Sequence, residues 1–341
     1  MVRLTSSNHV RQFGVLYSMG CSEAPSGDRA MRILQGTEVS TRPYLRQICS
    51  LTVQVFLYFS CVVALLVGCS NTEELPAPVL RFSAIPDQSN TELAEKFGVL
   101  AQHLSEALGI QVKYVPSTDY KASVEMFKNG DIHLAWFGGL TGVQARHAVP
   151  GALAIVQGKE DSNYYSYFIA HADTGLHHAI GFPHDIARFP FSFGSASSTS
   201  GRLMPEYFIL RNTGKSPKEF FKFTPVFSGD HDTTVQLVES GRVQVGAVNY
   251  KVYDKRVNSG KTDPNICRII WKTPVYSDYN FTVHPELNDI FDPEFIDRLQ
   301  AALVAIKDPV ILDAFPRCGL IKTSNTEFEQ LKKIVEELGF L

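Results

Sequence analysis

The chain has 341 residues, 44% of them hydrophobic and 20% charged, and a formal net charge of −3. At roughly 150 residues per domain this length predicts two domains, and the apolar and aromatic content excludes a mainly disordered chain. The balanced charge, with no Lys/Arg run, excludes a nucleic-acid-tracking surface. A single long apolar segment excludes a polytopic membrane protein, and six cysteines in a chain of this length do not make a disulfide scaffold.

That apolar segment is Ile48–Val67, preceded by Arg42 and Arg46 and followed by Gly68-Cys69-Ser70. A basic start, an apolar middle and a small-residue exit read as a secretory signal over 46–68. Leu66-Val67-Gly68-Cys69 resembles a lipobox, in which the Cys69 thiol takes a diacylglycerol and Cys69 becomes the mature N-terminus. The competing reading is a transmembrane anchor that ends near a chance cysteine. Both readings place the rest of the chain outside the cytoplasm, tethered to a membrane. Residues 1–45 show no periodicity and are expected to be a disordered extension or a leader from a start site set too early. Residues 69–79 suit a short flexible tether. The first 68 residues hold six Arg and three acids, so the remainder has 26 basic and 32 acidic side chains and a net charge of −6. Cys267 and Cys318 remain in the folded part, and spacing leaves open whether they pair or stay free.

From residue 79 short apolar runs alternate with helical periodicity. Val79–Ile85 reads as a strand ended by Pro86. Glu92–Leu108 places Leu93, Phe97, Leu100 and Leu104 on one helical face, and Gly109 stops it. Gln111–Val115 is a strand, and Asp119 caps a helix ending at Asn129-Gly130. Ile132–Phe137 is a strand opening into Gly138-Gly139, followed by a helix over Thr141–His147 and a strand over Leu153–Val156. The pattern restarts with strands Tyr165–Ala170 and Phe189–Phe193, a helix over Gly201–Asn212, a strand over Phe223–Phe227 and a helix over Asp232–Ser240. Strand Val243–Val248, helix Tyr250–Val257 and strand Arg268–Trp271 follow. From Phe281 the chain turns to two amphipathic helices, Pro293–Ile306 and Thr326–Leu338. Such alternation predicts an α/β fold with mostly parallel sheets. Two blocks and a helical return predict two lobes around a central cleft, 80–167 plus 281–341 for the first and 168–280 for the second.

Ligands of open α/β sheets sit at the carboxyl ends of strands. Four strand-to-helix junctions there are rich in small or hydroxyl residues: Ser117-Thr118-Asp119-Tyr120, Phe137-Gly138-Gly139-Leu140-Thr141-Gly142, Gly194–Gly201 and Ser228-Gly229-Asp230-His231-Asp232. Unpaired N–H groups and helix dipoles at such junctions attract anions. Ser200 is the expected cap of one helix and Asp232 of another. The Gly194–Gly201 string is not a P-loop, since no Gly-Lys-Ser/Thr closes it, and not a nucleophile elbow. His171, His177, His178 and His184 match no regular zinc spacing and read as a solvated loop. Tyr164, Tyr165, Tyr167 and Phe168, with Tyr276, Asp278 and Tyr279, fall where the chain leaves and re-enters the first lobe, as hinge or as core.

In order along Leu80–Leu341, LRFSAIPD, TDY, DIHLAWFGG, FGSASSTSG, SGDHD and VGAVN resemble the phosphate/phosphonate-type substrate-binding proteins of ABC importers. The resemblance implies a type-II periplasmic-binding-protein fold with a double-crossing hinge and clamshell closure. It implies that Ser198, Thr199 and Ser200, followed by Gly201, grip oxyanion oxygens together with His231. From the other lobe it implies Tyr120, Phe137, Gly138 and Gly139. It further implies no cofactor, no metal and no catalysis, and an ABC permease with its ATPase as partners. The location it implies is the periplasmic or extracellular face, with a lipid anchor on Cys69 and a monomeric state.

In that family the position matching Asn249 usually carries Asp. With the FGSASSTSG string, Asn249 looks most like the selenate-binding branch. An amide donates and does not repel a proton-free dianion. The expected ligand is therefore a tetrahedral oxyanion, with selenate and sulfate standing beside phosphite, phosphonate and phosphate. Asn249→Asp is expected to move preference towards protonated ligands. Two other classes compete: a ligand-sensing module for a membrane receptor, and an enzyme on the same fold. The second lacks a recognisable base–nucleophile pair.

Overall fold

The structure is a computed structural model that describes residues 77–88 and 90–341. The leader 1–45, the signal segment, Cys69 and most of the tether lie outside the described residues.

In chain order the strands are β1 Val79–Ala84, β2 Gln111–Tyr114, β3 Leu134–Phe137, β4 Leu153–Gly158, β5 Ser166–His171, β6 Phe191–Phe193, β7 Val226–Phe227, β8 Val245–Asn249, β9 Cys267–Lys272, β10 Asn280–Val283 and β11 Leu320–Lys322. The longer helices are α1 Asn90–Leu108, α2 Tyr120–Lys128, α3 Gly139–Ala148, α4 Met204–Thr213, α5 His231–Glu239, α6 Tyr250–Asn258, α7 Phe295–Ala305 and α8 Glu329–Glu337. The strands form a six-stranded sheet, ordered β11-β4-β10-β3-β1-β2, and a five-stranded sheet, ordered β7-β6-β8-β5-β9. In the first, β10 runs antiparallel to β3 and β4, and β11 antiparallel to β4. In the second, β5 runs antiparallel to β8 and β9. The remaining strands of each sheet share one direction, so the sheets are mostly parallel by orientation and their carboxyl ends face one region.

Hydrophobic burial explains the layers. Every residue of β3, β6, β8 and β10 is buried, as expected of strands covered on both faces. The periodic residues Leu93, Phe97, Leu100 and Leu104 of α1 are buried against this core. Phe97 meets Phe82 edge-on and stacks on Tyr114. Burial of one such ring contributes about 1.5–3 kcal/mol. Gly109, at φ 67°, ends α1 in the left-handed region that glycine adopts freely. Gly246 in β8 lets α5 approach closely, because a Cβ there would lie 2.9 Å from Thr234 Cγ2.

Two segments cross between the sheets, one joining β4 to β5 and the other β9 to β10. They run side by side. Tyr164 and Tyr276 exchange backbone hydrogen bonds of 2.9 Å in both directions, and Asp278 N–H donates to Asp161 O at 2.9 Å. Asp161 is fully buried and paired with Arg317, Nη2 to Oδ1 at 2.8 Å.

Several expectations change. β10 inserts between β3 and β4 where the sequence suggested only a turn from Phe281 towards helices. Its four residues, NFTV, are too few for periodicity, and pairing on both sides makes them a strand. β11 was likewise not expected. β7 shrinks to Val226–Phe227 at the sheet edge, with both residues exposed. Residues expected to begin the helix at Gly201 form instead a wide π-turn over Thr199–Leu203 before α4. Cys267 is buried, Cys318 is exposed, and both thiols are free.

Candidate functional site

The five-stranded sheet contributes a platform whose members already bond to one another. After β6 the chain folds back, with Gly194 N–H donating to Gly201 O at 2.9 Å. Ser198, not Ser200, is the cap: its Oγ accepts the Gly201 N–H at 3.0 Å. Ser198, Thr199 and Ser200 are all buried. A Cβ on Gly201 would lie 3.0 Å from both His231 Cε1 and Ser198 Oγ, so a larger residue would push the imidazole away. His231 opens α5 and is fully buried. Asp230, not Asp232, caps α5, accepting the Thr233 N–H at 2.7 Å. Asp232 pairs with Arg256 at 2.8 Å instead.

The tautomer of His231 follows from its partners. Asn249 N–H donates to Nδ1 at 3.3 Å, so the ring proton sits on Nε2, which lies 3.4 Å from Ser200 Oγ. Burial lowers the imidazole pKa to about 4. His231 is therefore a neutral donor at physiological pH, placed at a helix start where the dipole also favours the uncharged ring.

Asn249 does not stand free for a ligand as its sequence position suggested. It caps α6, its Oδ1 accepting from Lys251 N–H at 2.8 Å and Val252 N–H at 3.3 Å. The same oxygen accepts the Tyr164 hydroxyl at 2.5 Å, and Nδ2 donates to Tyr279 Oη at 2.9 Å.

The six-stranded sheet brings different material. Asp119 caps α2 by accepting from Ala122 N–H at 2.8 Å and so presents Tyr120 at the first helical position. Tyr120 is buried and close to Ser198, yet its hydroxyl has no hydrogen-bond partner among the described residues. Gly138 and Gly139 lead into α3, where Leu140 N–H donates across to Thr199 Oγ1 at 3.0 Å. A Cβ on Gly138 would come within 3.1 Å of that oxygen, and one on Gly139 would collide with Leu331. Both glycines are needed for close approach. Phe137 does not join the site: it is buried and packs edge-on against Phe127.

Three groups at the site were not assigned to it from sequence. Asp278, on the second crossing segment, is buried, with Oδ1 accepting the Gly139 N–H at 2.8 Å and Oδ2 without a partner among the described residues. Desolvation raises its pKa to about 7. Asp87, after β1, accepts the Tyr279 hydroxyl at 2.7 Å and has a pKa raised by burial to about 6. Arg317 lies behind them, 4.9 Å from the Tyr279 ring and 5.2 Å from the Tyr164 ring. The signal for Asp278 was its place in a hinge segment; for Asp87 it was the LRFSAIPD string. Arg317, far along the chain, carried no local signal.

The starts of α2, α3, α5 and the Thr199–Leu203 turn thus converge with hydroxyls, one neutral imidazole and one buried carboxyl. Hydroxyls and helix starts can bind an anion, and the carboxyl can share a proton with it. A groove of about 540 Å³ lies beside this cluster, lined by Glu92, Asp232, Lys255 and Arg256 among others. Those charges pair with one another, Lys255 with Glu92 and Arg256 with Asp232, each at 2.8 Å.

Comparison with known proteins agrees with this arrangement. The family described as ABC transporter, phosphonate, periplasmic substrate-binding protein matches residues 82–328. The probable ABC transporter phosphite binding protein PhnD1 of Prochlorococcus marinus (strain MIT 9301) is 34% identical over 268 residues, covering 76% of this chain and 90% of the relative. A PhnD1 structure from that organism, solved in complex with methylphosphonate, superposes with a TM-score of 0.72, covering 77% of this chain and 99% of the other. The phosphate-import protein PhnD of Mycolicibacterium smegmatis (strain ATCC 700084) is 25% identical, covering 71% of this chain and 78% of the relative. The fold is that of the type-II periplasmic binding proteins, and the chain belongs to the phosphonate-type substrate-binding proteins of ABC transporters, which work outside the cytoplasm.

Proposed function

We propose that this chain captures a small phosphorus oxyanion, phosphite or a short-chain phosphonate, and delivers it to the permease of an ABC importer. One observation carries the choice of ligand. Tyr120 Oη and Asp278 Oδ2 are buried polar atoms without partners among the described residues, set beside the hydroxyls of Ser198–Ser200. Leaving such atoms unsatisfied costs about 1–3 kcal/mol each, which a ligand that bonds to both would recover. Tyr120 donates. Asp278, with a pKa near 7, sits where a proton can be shared with a ligand oxygen. Phosphite and phosphonates hold their last proton near neutrality and fit such sharing. Sulfate and selenate have lost theirs, so Asp278 must bring the proton alone.

The case for selenate or sulfate rested on Asn249 as a donor to the ligand. Its oxygen caps α6 and one of its N–H groups goes to Tyr279, which leaves at most one N–H for a ligand, too little for Asn249 to carry the ligand choice alone. The relative at 34% identity carries the name of a phosphite binder and was solved with methylphosphonate, which supports the same ranking.

Closure of two lobes is the proposed mechanism. Ser198–Ser200 and His231 form the platform, Tyr120 and the Gly138-Gly139 turn the cover, and bonds to both stabilise the closed state. The chain acts as a receptor, without turnover, held at the membrane through lipid on Cys69. Titration calorimetry with phosphite, methylphosphonate, phosphate, sulfate and selenate tests the assignment. Phosphite or methylphosphonate is expected to bind about 100-fold tighter than sulfate, the ratio of one or two charge-assisted hydrogen bonds. Tighter binding of sulfate or selenate overturns it.

A further inference from the structure

Four residues around the site close a hydrogen-bonded ring that joins the two sheets. Asp87 Oδ2 accepts from Tyr279 O–H at 2.7 Å, and Tyr279 Oη accepts from Asn249 Nδ2 at 2.9 Å. The Asn249 backbone N–H donates to His231 Nδ1 at 3.3 Å, and the His231 backbone N–H donates back to Asp87 O at 3.3 Å. Asp87 follows β1 and Tyr279 precedes β10, both strands of the six-stranded sheet; Asn249 ends β8 of the five-stranded sheet and His231 opens α5, the helix after its strand β7. Exposure is 7% for Asp87, 2% for Tyr279 and Asn249, and 0% for His231.

The ring has one polarity. An ionised carboxylate only accepts, so Tyr279 must turn its single proton to Asp87. Its oxygen is then left as an acceptor and needs a donor from residue 249. The amide N–H supplies it, while the amide oxygen caps α6. A carboxylate at 249 could serve the cap, and could not serve Tyr279 while Asp87 is ionised. Residues 87 and 249 are therefore chemically linked although 162 positions apart: the acid accepts and the amide donates at the same Tyr279 hydroxyl.

We propose that Asp87, relayed through Tyr279 and Asn249, is a positioning residue that sets His231 for ligand when the two sheets come together. The relay rests on the proposed ligand class only for its functional consequence; the ring itself does not depend on which anion binds. It also changes the expectation for residue 249. Asn249→Asp does not merely shift ligand preference but breaks a closed ring.

A polarity swap tests this. In Asn249→Asp, two carboxylates face the one Tyr279 proton, whereas combining Asp87→Asn with Asn249→Asp reverses the direction. The carboxylate introduced at position 249 then accepts from Tyr279 O–H, and the amide introduced at position 87 donates to Tyr279 Oη. At pH 8 the Asn249→Asp variant should melt well below the native chain and bind phosphite and methylphosphonate about 30- to 100-fold more weakly, the scale of a broken buried polar pair. The double variant should recover both properties, to within about fivefold in affinity. Lowering the pH to 5 should relieve much of the Asn249→Asp variant's loss, since one added proton lets both carboxyls share Tyr279. The groups facing Asp87 in that range are Gln88, Tyr279, Tyr114, Tyr120, Asp232 and Arg317, and all six remain in every variant.

Failure of the double variant to recover the melting temperature refutes the ring. Recovery of the melting temperature without recovery of affinity refutes the positioning role. If native protein binds neither phosphite nor methylphosphonate, the ligand assignment falls, and the melting-temperature cycle alone decides the ring.

Discussion

The two sides of the site are built on opposite plans. On the five-stranded side Ser198, Ser200, His231 and Asn249 already bond to one another or to local backbone. On the other side Tyr120 Oη and Asp278 Oδ2 are buried without partners among the described residues. The first side satisfies its polar groups from within the protein; the second leaves two for the proposed ligand. A receptor that closes needs this asymmetry, because only contacts made in the closed, liganded state shift the equilibrium between open and closed forms. Changes on the platform should therefore cost stability and affinity together, and changes on the cover should separate them.

The largest effect is expected where both sides hang from the same hinge. Arg317→Met leaves Asp161 buried and unpaired, at a cost of about 3–5 kcal/mol. Calorimetric melting should show it, and retention of the native melting temperature would detach the pair from the hinge.

Next comes His231→Gln on the platform. Gln keeps an N–H donor but on a longer, flexible chain, and moving the donor off the anion is worth up to about 1.5–3 kcal/mol, a tenfold to hundredfold loss of affinity. It carries a pH signature. Because the folded pKa is lowered from 6.5 to about 4, the native chain has its full contribution from neutral His231 above pH 6.5. That contribution is lost as pH falls towards 4, by on the order of 3 kcal/mol. The difference in melting free energy between native and His231→Gln should thus shrink across this window. A difference that stays constant would contradict the buried neutral imidazole.

Tyr120→Phe should do the reverse of the platform change in the free protein. Removing a buried hydroxyl without a partner should raise stability by up to about 1 kcal/mol, while affinity falls by about tenfold. A variant that loses both stability and affinity would break the contrast between the two sides.

The smallest effect concerns the rim. Lys255 meets Glu92 across the groove, and this partly exposed pair is worth at most about 1 kcal/mol. Lys255→Gln should weaken binding by less than about fivefold and reduce its salt dependence, read by titration at two ionic strengths.

Much of this was legible in the sequence because the platform is local. A strand, a hydroxyl-rich turn and a helix start lie within ten residues around Ser198–Ser200, and again around His231. Periodicity likewise marked α1, α7 and α8. What could not be read locally depends on distant partners. β10 is a strand because β3 and β4 flank it. Asp278 faces the site because Gly139, 139 positions earlier, holds its carboxylate. Asn249 looked like a ligand donor from its place at a strand end. Only its bonds to Tyr164, Tyr279 and the start of α6 show it acting inside the protein. Caps moved by two residues, from Ser200 to Ser198 and from Asp232 to Asp230, because several adjacent residues of capping type compete and tertiary fit decides among them.

The central claim is that ligand completes two unpartnered groups, Tyr120 on the cover and Asp278 on the crossing segment bonded to it. A crystal structure of the chain with bound phosphite or methylphosphonate tests it most directly. The account predicts ligand oxygens within hydrogen-bonding distance of both Tyr120 Oη and Asp278 Oδ2, with Ser198–Ser200 and His231 on the opposite side. An anion seated elsewhere, with both groups still unpartnered, would contradict it.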